Sequence, residues 1–194
     1  MMNILPFAVN ILWKVNSKLM NDFPLDYTVL DIETTGLSPK NNEIIELSAL
    51  KIRNKEVVRE FSVLVNPDCH ISSFISNLTG ISDEMVKDAV CIEEALKEFI
   101  EFVGKDKVIG HNIMFDLNFI KEKAMFHLHR KTWFACLDTM KISRELFPSE
   151  RHHRLCDVAK RLSIVQEGAH RGLVDCYSTY HCFEKMRDIK KETE

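Results

Sequence analysis

The sequence predicts an α/β fold in which a mixed β-sheet is flanked by helices. Three observations carry this. Thr28-Val29-Leu30-Asp31-Ile32-Glu33 is a β-branched and apolar run of strand type that closes on the turn signal Thr34-Thr35-Gly36. Two longer strand-like segments, 43–53 and 55–65, meet at the polar Arg53-Asn54-Lys55 and read as a hairpin. Beyond residue 90, short apolar segments alternate with stretches of helical periodicity, the pattern of strands joined through helices. At 194 residues, one domain with a proper core is the natural size.

Residues 1–25 stand apart as an N-terminal segment, with the main domain expected over 26–188. Ala8, Ile11, Leu12, Val15 and Leu19 recur at helical spacing, and this apolar stripe suits a helix lying on the protein's own body. Lys14 and Lys18 interrupt it too soon for a membrane span, and neither a basic leader nor a small-residue cleavage site marks a secretory segment. After Gly36 comes the polar loop Ser38-Pro39-Lys40-Asn41-Asn42, then the hairpin, which Asn66-Pro67 stops. Ile71 to Ile81 is mostly apolar, and Ser82 followed by Asp83 and Glu84 is a helix N-cap signal. Ile92, Ala95, Leu96, Phe99, Ile100 and Val103 mark an amphipathic helix stopped at Gly104. A short strand is expected at 107–110, a helix at about 114–126, a strand at 133–137 and a helix through Phe147 that Pro148 ends. Helices at 155–162 and 172–186 complete the chain, and the charged tail 187–194 is expected to fray.

Composition excludes several classes. Hydrophobic residues make up 45% and charged residues 28% of the chain, ordinary for a soluble globular protein. The net charge of −3 supplies no long-range field to attract a polyanion, so a nucleic-acid partner must be held by a local device such as metal ions. The cysteines (Cys69, Cys91, Cys136, Cys156, Cys176 and Cys182) are scattered without a Cys-x-x-Cys pair. That usage suits free thiols in a reducing cytoplasm.

Three short segments carry chemistry. Side chains alternate across a strand, so Asp31 and Glu33 share one face while Leu30 and Ile32 take the other. Adjacent acids repel, and two readings are open: a solvated strand face, or a cation between them, for which oxygen ligands favour Mg²⁺ or Mn²⁺. Gly110-His111-Asn112-Ile113-Met114-Phe115-Asp116 follows a strand and opens a helix, which places polar groups at a sheet edge. Taken alone, His111 reads as a core histidine and Asp116 as compensation of a helix dipole. In His170-Arg171-Gly172-Leu173-Val174-Asp175 the five-residue separation turns His170 and Asp175 apart on a regular helix. They reach a common site if His170 lies on the loop before the helix and Asp175 on its first turns, and an imidazole there suits proton transfer near neutral pH.

In order and in register, these segments resemble the DnaQ-like, or DEDDh, family of 3′-to-5′ exonucleases, close to the proofreading epsilon subunit of bacterial DNA polymerase III. The likeness spans roughly residues 26–186 and includes Leu78-Thr79-Gly80-Ile81, Leu137-Asp138-Thr139 and His153-Arg154-Leu155. It implies a ribonuclease H-like fold with a five-stranded mixed sheet. It makes Asp31, Glu33, Asp116 and Asp175 the acidic set for two divalent ions, Mg²⁺ or Mn²⁺, with His170 the general base. Such ions activate water and relieve charge on the leaving 3′-oxygen. By the same resemblance Thr34, Thr35, Gly36 and Leu37 hold the terminal nucleotide. His111, Asn112 and Phe115 line the substrate channel, with Leu37 or Phe115 packing on a base.

The expected substrate is therefore nucleic acid with a free 3′ end, DNA in preference to RNA, degraded to nucleoside monophosphates in the cytoplasm without a membrane. A polymerase partner, where there is one, is expected on a separate chain. Two alternatives remain: an exoribonuclease or oligoribonuclease of the same superfamily, and a polymerase-bound structural module with weak activity.

Overall fold

The computed structural model describes residues 23–165 and 171–193, so the amphipathic segment expected at 1–25 lies almost wholly outside the described residues, as does His170. Strand β1 (Tyr27–Thr34) is central, and the hairpin β2 (Ile44–Arg53) and β3 (Glu56–Leu64) extends the sheet on one side. Asn54 and Lys55 both take positive φ, 48° and 70°, the conformation a two-residue hairpin turn requires. Helix α1 (Ser73–Thr79) and the single turn α2 (Asp83–Val86) follow, then α3 (Ile92–Val103), ended by Gly104 at φ 63°. Strand β4 (Val108–Gly110), α4 (Met114–Leu128), β5 (Cys136–Asp138), α5 (Thr139–Leu146), α6 (Leu155–Arg161) and α7 (Gly172–Thr193) complete the order.

The five strands form one mixed sheet in the order β3-β2-β1-β4-β5, antiparallel across the hairpin and parallel from β1 through β4 to β5. This is the expected class. Alternation divides β1 between two cores. Leu30 and Ile32 join Leu47, Ala49, Leu96, Phe99 and Phe119 under α3 and α4. Tyr27 and Val29 join Leu50, Ile52, Cys176 and Phe183 under α7. Asp31 and Glu33 continue that second face beyond its apolar part, at the end of the strand where the first turns of α7 lie.

Three local expectations need correction. Ser82 occupies the N-cap position of α2, but its hydroxyl makes no capping bond. The Asp83 carboxylate instead accepts the Ile71 N–H at 2.7 Å, tying the loop before α1 to this turn. Strand β5 is three residues long rather than five, because it pairs only as far as β4 does. The tail does not fray at 187: α7 continues to Thr193. Arg187, which reads in sequence as a solvent residue, is only 1% exposed. Its guanidinium donates to Glu184 and to the Pro24 carbonyl, and lies over the Phe183, Phe23 and Tyr27 rings. Tyr27 also donates its hydroxyl to Glu184, so one charge-assisted knot fastens the end of α7 to the start of β1.

Removing one member of a buried, hydrogen-bonded ion pair leaves the other uncompensated, a loss of about 3 kcal/mol. Arg187→Ala is therefore expected to lower the melting temperature by about 6–12 °C for a chain of this size, read by calorimetry. A shift under about 2 °C would mean that the guanidinium does not fasten the helix.

Candidate active site

Strand pairing and one early strand end build the site. Asp31 lies across from Ser48 and Glu33 across from Glu46, after which the β1–β2 register slips so that Thr34 faces Ile44. Strand β4 stops at Gly110, so among the described residues no strand pairs with the far end of β1 on that side. There the Ile32 N–H donates to Asp116 Oδ1 at 3.1 Å. Asp116, in the first turn of α4 and 4% exposed, is thus drawn to the same stretch of β1 that carries Asp31 and Glu33. Asp175 arrives from the other side, one turn into α7, with its own N–H donated to the Arg171 carbonyl at 3.0 Å.

Asp31, Glu33 and Asp175 each place one carboxylate oxygen within 4.8 Å of the others. Asp116 lies outside that triple but close enough for its charge to act on Asp31. Burial is the first cause that pushes the Asp31 carboxyl well above its ordinary range, followed by the charges of Asp116, Glu33, Asp175 and Glu46. Burial, then Asp175, Glu46 and Asp116, raise Glu33 from 4.5 to about 8, with Arg171 opposing. Asp116 rises from 3.8 to about 8, again chiefly through burial, although its bond from Ile32 pulls the other way. Carboxylates so crowded are stable as anions only with a cation among them. The donors are all hard oxygens, which fits a divalent ion of the Mg²⁺ or Mn²⁺ type.

Around this cluster the turn after β1 is tightly bonded. The Thr34 hydroxyl donates to the Gly36 carbonyl at 2.7 Å, and the Thr35 N–H and Glu43 carbonyl meet at 2.9 Å. Thr35 Oγ1 accepts the Glu43 N–H, also at 2.9 Å. A Cβ on Gly36 would come within 2.7 Å of the Asn42 amide, so a larger residue there would have to displace the side chain that accepts the Ser38 N–H. Leu37 beside it is 85% exposed, an apolar side chain held out at the mouth of the site.

His111 sits differently from a free channel residue: Nδ1 lies 2.9 Å from Thr139 Oγ1 and Nε2 lies 2.7 Å from the His153 carbonyl. Burial lowers its pKa. Asn112, at φ 61°, donates its N–H to Asp138 Oδ1 at 3.0 Å and is exposed. Phe115 packs against Phe119 with ring centroids 5.0 Å apart and is half-buried. Sequence reasoning assigned no role to Asp138, noted only within Leu137-Asp138-Thr139, and passed over Glu46. Asp138 both caps α5 and holds the Asn112 turn. Glu46, 2% exposed on β2, touches the start of α7. The acid inside the apolar run Ile44-Ile45-Glu46-Leu47 was the available signal for the latter.

A family model described as RNase_T, exonuclease, matches residues 28–183, which contain all four acids. The chain belongs to this exonuclease family. It has the fold of solved exonucleases and is a nuclease of the hydrolase class. Among curated relatives, the DNA polymerase III PolC-type of Caldanaerobacter subterraneus subsp. tengcongensis is 42% identical over 167 residues. The match takes in 86% of this chain but 12% of that polymerase, so the exonuclease chain spans about an eighth of that relative's length. Among solved structures, Exonuclease X in complex with 5′ overhanging duplex DNA superposes with a TM-score of 0.65 at 25% identity, covering 84% of this chain and 99% of that one. A 3′-exonuclease solved in a study of 3′-end recognition of a histone mRNA stem-loop gives 0.72 at 20% identity, covering 86% and 65%.

The raised acids set a pH dependence. A carboxyl that binds its proton more tightly folded than unfolded stabilises the fold fully below about pH 4, and that contribution is lost as pH rises through about 8. A cation competes with those protons and restores the loss. The stabilisation that saturating Mg²⁺ produces over chelator, read as a rise in melting temperature, should therefore be small near pH 5 and grow toward pH 8, approaching about 3 kcal/mol at 100-fold excess over Kd. A metal effect that is the same at both pH values would contradict a cation seated among these groups.

Proposed function

We propose that this exonuclease removes nucleotides one at a time from the 3′ end of DNA, in the manner of an editing activity, using two divalent ions held by Asp31, Glu33, Asp116 and Asp175. The observation that carries this reading is the convergence of Asp31, Glu33 and Asp175 oxygens within 4.8 Å, in a chain of this family, beside a neighbouring buried acid. When bound, Mg²⁺ or Mn²⁺ supplies Lewis acidity to the water and to the leaving 3′-oxygen.

The chain's own residues do the rest. The four carboxylates set where the scissile phosphate can lie. The Thr34–Leu37 turn offers backbone groups and the exposed Leu37 side chain to the terminal nucleotide, an arrangement suited to one unstacked base. Asn112 and Phe115 flank the approach, and His111 braces it, with both ring nitrogens engaged inside the protein. His170 takes the proton of the attacking water, which requires an unprotonated ring nitrogen.

DNA is favoured over RNA by the identity shared with a segment of PolC-type DNA polymerase III, and that kinship also supports a partnership with polymerase. The observation favouring RNA is the structural likeness to the exonuclease of the histone mRNA study, at lower identity.

Digestion of matched DNA and RNA strands, each blocked at one end, tests this. A free 3′ end on DNA should yield mononucleotides, a blocked 3′ end should stop them, and a blocked 5′ end should not. Faster turnover of RNA would favour the second reading, and cuts within a circular single strand would overturn both. His170→Ala should lower kcat by about 10²–10⁴-fold with little change in KM, flattening the rise of rate with pH. A parent-like rate and pH profile would place the proton acceptor elsewhere.

A further inference from the structure

Glu46 is a carboxylate that the acidic set does not use, although it lies beside that set. It is 2% exposed, yet both of its oxygens are engaged. Oε2 accepts the N–H of Gly172, the first residue of α7, at 3.1 Å. Oε1 accepts the Ser62 hydroxyl at 3.2 Å and lies 3.5 Å from the Arg171 guanidinium. Ser62 in turn lies 3.4 Å from Ser48, so β2 and β3 present a small hydroxyl-lined floor beneath the helix start. The helix presses closely on that floor. A Cβ on Gly172 would stand 2.6 Å from Ser48 Oγ, 2.9 Å from Ser48 Cβ and 3.4 Å from Glu46 Oε2.

We infer that Glu46 is a positioning residue: by binding the first N–H of α7 from the strand position paired with Glu33, it fixes where Asp175 stands relative to Asp31 and Glu33. The first amides of a helix have no partner within it, and an acid there satisfies one of them and complements the helix dipole. Asp175 follows Gly172 by about one turn, so the bond sets both the height and the rotation of the helix at that residue. Because Glu46 is directly opposite Glu33 in the β1–β2 ladder, its side chain ties α7 to the strand that is laddered with β1, which carries the other acids. The inference rests on the reading that Asp175 belongs to the metal-holding set, and misplacing such a group by about 1 Å is enough to cost about 10²-fold in rate.

The test compares Glu46→Gln, which keeps an acceptor oxygen for Gly172, with Glu46→Leu, which removes it. Two readouts are taken: amide hydrogen exchange over residues 171–178 in chelator, and kcat, KM and half-saturating Mn²⁺ on a short DNA strand. In the Leu variant, exchange at 171–178 should quicken about tenfold or more, with α3 and α4 unchanged. Its kcat should fall about 10–100-fold at a KM within about twofold. The Gln variant should stay within about threefold of the parent in every readout. Parent-like exchange in the Leu variant overturns the inference. So does a Gln variant that loses as much as Leu and needs over about tenfold more Mn²⁺, which would make Glu46 a ligand. Where the Leu variant does not fold, Gly172→Ala should quicken the same exchange, and adding Ser48→Gly, which removes both crowding atoms, should reverse it; absence of reversal overturns the inference. A parent protein without 3′-end activity whose exchange follows the predicted pattern would overturn the proposed function and leave the anchor standing.

Discussion

Like charges forced together at one end of β1 are the constraint on which the rest depends. A strand face that begins with Tyr27 and Val29 beneath α7 continues with the half-buried Asp31 and Glu33, so partial burial is imposed on groups that burial penalises. Left alone, such acids hold their protons, as the raised Asp31, Glu33 and Asp116 do. They cannot move apart, because each belongs to an element fixed elsewhere: Asp31 and Glu33 to a ladder with β2, Asp116 to the Ile32 N–H, and Asp175 to a helix seated on the sheet. The fold thus stores an unfavourable arrangement that a divalent cation relieves, and the same arrangement is what phosphodiester hydrolysis needs.

The surrounding architecture follows from that demand. The sheet must be rigid at β1, and it is central, with two cores on its faces. Strand β4 must end early, so that a helix-borne acid rather than another strand meets β1. Helix α7 must not slide. The Arg187 knot holds its far end against Pro24 and Tyr27, while its near end rests on the floor of Ser48, Glu46 and Ser62. A helix pinned at both ends delivers Asp175 to a fixed point.

Much of this was legible in sequence, for physical reasons that differ by element. Period-two alternation put Asp31 and Glu33 on one face, and Asn54-Lys55 and Gly104 marked where the chain turns, because those signals are local. The extension of α7 was not legible, since Arg187 resembles any solvated tail residue until the Pro24 carbonyl and the Phe183 ring are brought to it. Glu46 was passed over for the same reason: its partner is 126 residues away, and its place opposite Glu33 depends on a register set just before the irregularity at Thr34. The contact between Asp116 and Ile32 depends on where β4 stops, which no local pattern announces.

The central claim is that these acids oppose the fold until a cation joins them, and Asp31→Asn tests it most directly. In chelator the variant removes one crowded acid, so its melting temperature should exceed that of the parent by a margin that grows as pH rises above about 8 and the remaining acids ionise. Addition of Mg²⁺ should raise the parent past the variant while moving the variant little, and hydrolysis should be abolished in the variant at any Mg²⁺ concentration. A variant that melts below the parent in chelator, gains the parent's full stabilisation from Mg²⁺ and still cleaves DNA would contradict the account.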